Sequence, residues 1–380
     1  MNFRTKQFVR SRFQHYYKTH KIYLPPGFDV REWGFIMFDE LPEVRMRRHK
    51  AFGSRGELSD YLSGMVPSHA YYSTAYYTYP AARNMKEKGW QGADLIFDLD
   101  ADHLRKQGAD YAEMLENVKT ETIKLLDFLT EDFGFGSEHI EVVFSGGRGY
   151  HIHVRDKSVL KLESGARREI VDYLTCTGFD YKKIFKNDST WSMRIAEKVI
   201  DYFYKLRFSV DKNEALHSLQ RFTEIGKKRS SRVMDTLYEF NTRDELETYF
   251  RHGGFGFKQH IALNVKQVAE SLINLEGIAS LSGETDEPVT TDIKRLIRLP
   301  LSLHGGSGFT VTPVAIDALE SFNPLIDAVT FGNDMTSVIG IKPFEIQMYN
   351  NTYTVEPGTS VLPECAAIYA MCRGACEYGE

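Results

Sequence analysis

Cysteine is scarce in this chain: four residues, at 176, 365, 372 and 376, among 380. So few thiols exclude a disulfide framework of the secreted kind and point to a reducing compartment. No apolar run approaches the ~20 residues of a membrane helix, and Met1-Asn2-Phe3-Arg4-Thr5-Lys6 lacks a signal-peptide core. The expectation is an intracellular protein that makes no use of a membrane. Positive net charge is also lacking, the formal value being -5, so the whole chain does not announce a nucleic-acid partner. A Walker A loop, Gly-x-x-x-x-Gly-Lys, is absent, as are internal repeats and low-complexity tracts.

What is present is an ordinary globular composition, 42% hydrophobic and 26% charged, on a chain long enough for two or three domains. Val9, Phe13, Tyr16 and Tyr17 recur at helical spacing and predict an amphipathic first helix that ends before Pro25-Pro26-Gly27. From Trp33 to Ile140 short apolar runs alternate with helical stretches, including Glu57 to Leu62 and Tyr111 to Leu129. Ile140 to Phe144 and Tyr150 to Val154 flank a turn and read as a hairpin. Residues 161–275 look mainly helical, with segments at Glu169 to Leu174, Ser192 to Tyr204 and Arg243 to Arg251, and the strand signal returns near Val311. The expectation is an α+β protein: a mixed-sheet core from residues 1–160 and 276–380, carrying a mainly helical insertion at 161–275. Within it residues 181–235 hold 13 Lys/Arg against 7 Asp/Glu, a stripe that fits either a phosphate backbone or the solvated faces of helices. Cys365, Cys372 and Cys376 would share a helical face, but their spacing matches no common zinc pattern and they read as small buried residues.

Chemistry concentrates in three places. Asp98-Leu99-Asp100 closes the apolar run Ala93 to Phe97. In a strand, residues i and i+2 share a face, which sets the two carboxylates about 6.6 Å apart while Leu99 turns into the core. That suits a divalent cation bound with substrate phosphates, and it also suits a solvated turn. Second, Ser145-Gly146-Gly147-Arg148-Gly149-Tyr150-His151 combines permissive glycines with a hydroxyl, a guanidinium fork and an imidazole, as a phosphate cradle would, although Gly-rich hairpin turns are common. Third, in Thr290 to Gly306, Asp292 could complete an acidic triad, and Arg298, Ser302 and His304 offer donors to phosphate or sugar. The same residues fit a charged helix end followed by a turn. The basic group Arg45 to Lys50 is equally open.

Taken together and in this order, Phe97-Asp98-Leu99-Asp100, the Ser145 to His151 loop and Arg298-Leu299-Pro300-Leu301-Ser302-Leu303-His304 resemble the catalytic small subunit of archaeal and eukaryotic DNA primases, from about Arg31 to Gly308. The compact length is nearer the archaeal type. The resemblance implies a prim-type core. It assigns Asp98, Asp100 and Asp292 to metal binding, and Ser145, Gly146, Arg148 and His151 to the triphosphate loop. Arg298, where some members have Lys, and His304 would be later phosphate contacts, and Arg48 an upstream Arg at the nucleotide site. The chain departs from the family in one respect. No Cys lies between Asp100 and Thr175, where relatives commonly place a Cys/His zinc cluster, and only His103, His139, His151 and His153 are available, so a structural zinc is doubtful.

The implied activity is template-directed nucleotidyl transfer that starts primers on single-stranded DNA from nucleoside triphosphates. Mg²⁺ or Mn²⁺ on the aspartates would activate a 3′-hydroxyl and escort pyrophosphate away. A primase large subunit is the implied partner, and the compartment is cytoplasmic if archaeal, nuclear if eukaryotic. Two other classes stay open at this point: an Asp-x-Asp glycosyltransferase using a nucleotide-sugar, and a non-catalytic single-stranded DNA scaffold.

Overall fold

The computed structural model describes residues 1–41, 43–104, 108–177, 190–220, 226–252, 268 and 283–379. The chain divides into two compact units, Met1–Val171 with Glu284–Glu380, and Asp172–Gly283. Helices and antiparallel sheets make the fold α+β. No described helix is long and apolar enough to cross a membrane.

In the first unit, helix α1 (Phe3–Thr19) starts where the Asn2 side chain accepts from the Thr5 N–H, and its spaced Val9, Phe13, Tyr16 and Tyr17 are all buried. Strands β1 (Trp33–Met37) and β2 (Met46–Lys50), helix α2 (Arg55–Met65) and strand β3 (Pro67–Ser73) follow. A small ribbon, β4 (Ala75–Tyr77) with β5 (Trp90–Ala93), leads into β6 (Leu95–Asp100). Helix α3 (Tyr111–Asp127) connects to the hairpin β7 (Ile140–Phe144) and β8 (Gly149–Val154), and α4 (Ser164–Leu174) spans the division between Val171 and Asp172.

Among the described residues the second unit forms the helices α5 (Thr190–Phe208), α6 (Lys212–Leu219), α7 (Lys227–Leu237) and α8 (Arg243–His252). They bury Ile195, Val199, Phe203 and Leu206 of α5 at helical spacing, together with Leu219, Val233, Met234 and Leu246. Much of the basic stripe at 181–235 falls in this unit, and its positions 181–189 and 221–225 lie outside the described residues. The chain then forms α9 (Glu287–Thr291), β9 (Leu296–Arg298), β10 (Thr312–Val314) and α10 (Pro324–Asp327), and ends in β11 (Met335–Gly340), β12 (Phe344–Met348), β13 (Asn351–Val355), β14 (Gly358–Pro363), α11 (Glu364–Cys372) and β15 (Cys376–Tyr378).

Two four-stranded sheets organise the first unit, in the orders β2-β1-β3-β9 and β10-β7-β8-β6. Every pairing between described strands is antiparallel, where a mixed sheet was expected. The reason lies in the hairpin: α3 joins β6 to β7, which run the same way, but β8 folds back between them. A second correction concerns β9. The stretch Thr290 to Gly306 is not a helix end and turn throughout, because Leu296–Arg298 pairs with β3, Arg298 opposite Tyr71. A third concerns the cysteines: Cys365 and Cys372 belong to α11, but the helix stops there and Cys376 sits on β15, so the three do not share one helical face.

The two sheets are tied by a buried ionic knot just before β6. Arg31 and Asp94, both fully buried, meet at 2.8 Å. Arg31 also donates to the Pro26, Ser73 and Thr74 carbonyls, and its guanidinium lies 3.9 Å from the Tyr76 ring centroid. Asp94 further accepts from the Tyr76 hydroxyl at 2.7 Å and from Arg155 at 3.3 Å. Removing one partner of such a pair leaves the other charged and desolvated. Asp94→Ala is therefore expected to cost about 3–5 kcal/mol of stability, read as a fall in the urea or thermal midpoint, and a loss below ~1 kcal/mol would contradict the knot.

Candidate active site

Five of the expected residues line one cavity of about 440 Å³: Arg48 from β2, Asp98 from β6, His151 from β8, Asp292 from the turn after α9, and Arg298 from β9. Met46, Tyr71, Lys294, Arg295, Leu296 and Ile297 complete the wall. The sheets explain the convergence. Asp98 stands opposite His151 in the β6–β8 ladder, with His151 Nε2 3.5 Å from Asp98 Oδ1, while β2, β3 and β9 belong to the other sheet.

β6 is an edge strand, and an open edge leaves backbone groups unpaired. Here the Asp98 carbonyl is satisfied by the Asp286 N–H at 2.9 Å and the Thr285 hydroxyl at 3.3 Å. Arg48 is fixed from behind: fully buried Glu32 accepts from its Nε at 3.0 Å and Nη2 at 3.2 Å, and from the His49 N–H at 3.1 Å. Buried Lys88 lies 3.5 Å from the same carboxylate.

The charges in the cavity are strongly coupled. Burial, then the neighbouring Asp100 and Asp286 carboxylates, push the Asp98 carboxyl up to about 6, against the pull of Arg295 and Arg298. Burial and the same two arginines hold His151 down to about 3, so it is neutral at physiological pH, and its Nδ1 has no hydrogen-bond partner. His69 is also held well below the usual imidazole range by burial and Arg298, whose Nη1 lies 2.7 Å from His69 Nδ1.

The remaining expected residues form a second group beside the cavity. Ser145 accepts from the Gly147 N–H at 3.4 Å, and Gly146 adopts φ +77°, where an added Cβ would lie 2.7 Å from His304 Cβ. At Gly149 a Cβ would come within 2.1 Å of the Leu99 carbonyl oxygen. These two glycines thus allow close approach of the chain to itself. His304 is well below the usual imidazole range through burial first and Arg298 second. Its Nδ1 accepts from the Gly306 N–H at 3.2 Å, and Ser307, which donates to the Gly146 carbonyl, is 3.1 Å away.

Arg148 forks onto Asp102, and Asp100 accepts from the Asp102 N–H at 3.0 Å; neither Arg148 nor Asp100 lines the cavity. Among the described residues no three His, Cys, Asp or Glu side chains stand together as a ready metal cluster. The sequence reasoning passed over Glu32, Tyr71, Asp286 and Arg295. Arg295 carried a signal, since it follows Asp292 by one turn of chain, whereas Glu32 and Asp286 are recognisable only from what they touch.

The sequence profile of the DNA primase small subunit matches residues 97–316, which spans Asp98, the glycine loop, Asp292 and His304. Full-length relatives agree. The DNA primase small subunit PriS of Methanococcoides burtonii is 46% identical, with 100% of each chain covered. That of Methanosarcina barkeri is 44% identical over 100% of this chain and 98% of its own, and that of Methanocella arvoryzae 44% over 100% of both. The chain belongs to the DNA primase small subunit family. This membership favours the archaeal type and gives no support to the glycosyltransferase or the scaffold reading.

In this primase small subunit the carboxylate oxygens of Asp98 and Asp292 are donors of the kind a hard divalent cation would take, and burial, ahead of the Asp100 and Asp286 carboxylates, holds the Asp98 carboxyl above its ordinary pKa. An acid whose folded pKa exceeds its unfolded value of 3.8 favours folding below that value and loses the contribution as pH rises through about 6. Asp98→Asn should therefore raise stability at pH 7.5 by about 1–3 kcal/mol, an advantage that vanishes below pH ~4. Thermal melts across pH check it, and a variant less stable than wild type at pH 7.5 would refute it.

Proposed function

We propose that this chain is the catalytic subunit of a DNA primase: a nucleotidyltransferase with a prim-type core that starts primers on single-stranded DNA from nucleoside triphosphates. The observation that supports it most is the single cavity in which Asp98 and Asp292 face Arg48, Arg298 and His151, within the matched span. Asp98 and Asp292 would hold Mg²⁺ or Mn²⁺, with Asp100 next to them, and the metal when bound would lower the pKa of the attacking hydroxyl and neutralise charge at the phosphate.

The chain's own groups supply the rest. Arg298 and Arg295 set fixed positive charge against the acidic side of the cavity, where a phosphoryl group gathers negative charge in the transition state. Arg48, on β2 at the other edge of the sheet that carries Arg298 and held by Glu32, adds a pre-oriented cation. Neutral His151 offers hydrogen bonding without a charge that titrates near pH 7. Ser145, Gly146, Arg148 and His304 would receive the outer phosphates. Partners of the subunit would be a large primase subunit and the single-stranded template.

Primer synthesis on single-stranded template with labelled ribo- and deoxynucleotides, with Mg²⁺ or Mn²⁺ and with or without the large subunit, tests the assignment. Asp98→Ala and Asp292→Ala should each lower incorporation by roughly 10²–10³-fold or more while melting cooperatively. Unimpaired extension by either variant would remove that aspartate from the mechanism.

A further inference from the structure

Arg148 is the cation of the glycine loop, yet its guanidinium is already engaged. Nη1 donates to Asp102 Oδ1 at 2.7 Å, Nη2 donates to Asp102 Oδ2, and Nη2 also lies 3.8 Å from Asp100 Oδ1. The chain builds this fork deliberately. Past the Asp100–Gly149 pair the β6–β8 ladder gains one more bond, the Ala101 N–H donating to the Arg148 carbonyl at 3.2 Å. The Asp100 carboxylate caps the next turn at the Asp102 N–H, which presents Asp102 to Arg148 across the strand ends. Both side chains are substantially exposed, 40% for Arg148 and 57% for Asp102, so the pair is screened by solvent and opens readily.

A guanidinium fork that fits a carboxylate bidentately fits a phosphate in the same way. Asp102 and the outer phosphates of a nucleotide therefore want the same donors.

We propose that Asp102 is a competitor built into the triphosphate site: it holds Arg148 while no nucleotide is present, yields it to the incoming phosphates, and so sets nucleotide affinity rather than the chemical step. This rests on the nucleotidyl-transfer reading above. Asp102 is a positioning residue in this account, acting only through Arg148.

The test is a double-mutant cycle on the full chain, reading nucleotide KM and kcat in primer extension with Mn²⁺ and, without turnover, the Kd for a fluorescent ATP. Asp102→Asn should lower KM and Kd by roughly two- to five-fold, the worth of an exposed ion pair, with the change in KM rather than kcat. In an Arg148→Ala background the same substitution should change neither. A KM that rises or stays put in Asp102→Asn would overturn the proposal, and so would an equal fall in both backgrounds, which would mark a general charge effect. A wild type that binds the nucleotide but never incorporates it would sink the polymerase reading, and the Kd cycle would still decide the role of Asp102.

Discussion

The architecture of the candidate site depends on the burial of Arg31 against Asp94. These residues are fully enclosed, so their attraction survives only because nearly every remaining donor and acceptor is used: Pro26, Ser73 and Thr74 carbonyls by Arg31, and the Tyr76 hydroxyl and Arg155 by Asp94. Ser73 ends β3 and Asp94 precedes β6, so this one cluster joins the ends of strands from different sheets. The register of each strand then carries the geometry forward, with Asp98 facing His151 on one side and Arg298 standing beside Tyr71 on the other.

The cavity itself is held in electrostatic tension. Two further carboxylates, Asp100 and Asp286, crowd Asp98, and Arg295 and Arg298 relieve that crowding only in part, while burial and the same arginines suppress protonation of His151. Such an arrangement is poor for stability. On the function proposed above, its acids would attract a cation and its bases phosphate, and each ligand would improve the setting for the other.

Much of this could be read in the residues. The amphipathic pattern of Val9, Phe13, Tyr16 and Tyr17 located α1, and the hairpin from Ile140 to Val154 followed from alternation around a glycine turn. Asp98, Asp292, His151, Arg298 and Arg48 share the cavity, as far apart in the chain as they are. Long-range pairing was beyond reach. Leu296–Arg298 is too short to show a period of its own, and it is a strand only because β3 lies alongside. Cys376 continued an apparent helical spacing past the residue where the helix stops, since spacing alone says nothing about a C-terminus. Glu32 and Asp286 are ordinary acidic residues until folding sets one behind Arg48 and the other against Asp98. The glycines were legible as points of close approach, but which surface they approach is a tertiary fact.

The clamp on β6 has a consequence for how the chain can diversify. Arg167 of α4, just before the chain enters the second unit, donates to the Ala93 and Asp94 carbonyls at 2.8 Å, and Asp286, just after it returns, donates to Asp98. Departure and return are thus moored to the lead-in and to the second half of a single short strand. The entropy of closing an excursion between fixed moorings grows only with the logarithm of its length, so residues may be gained or lost between 172 and 283 at little expense to the catalytic core. Evolution can remodel that excursion as a detachable accessory while the aspartates stay where they are.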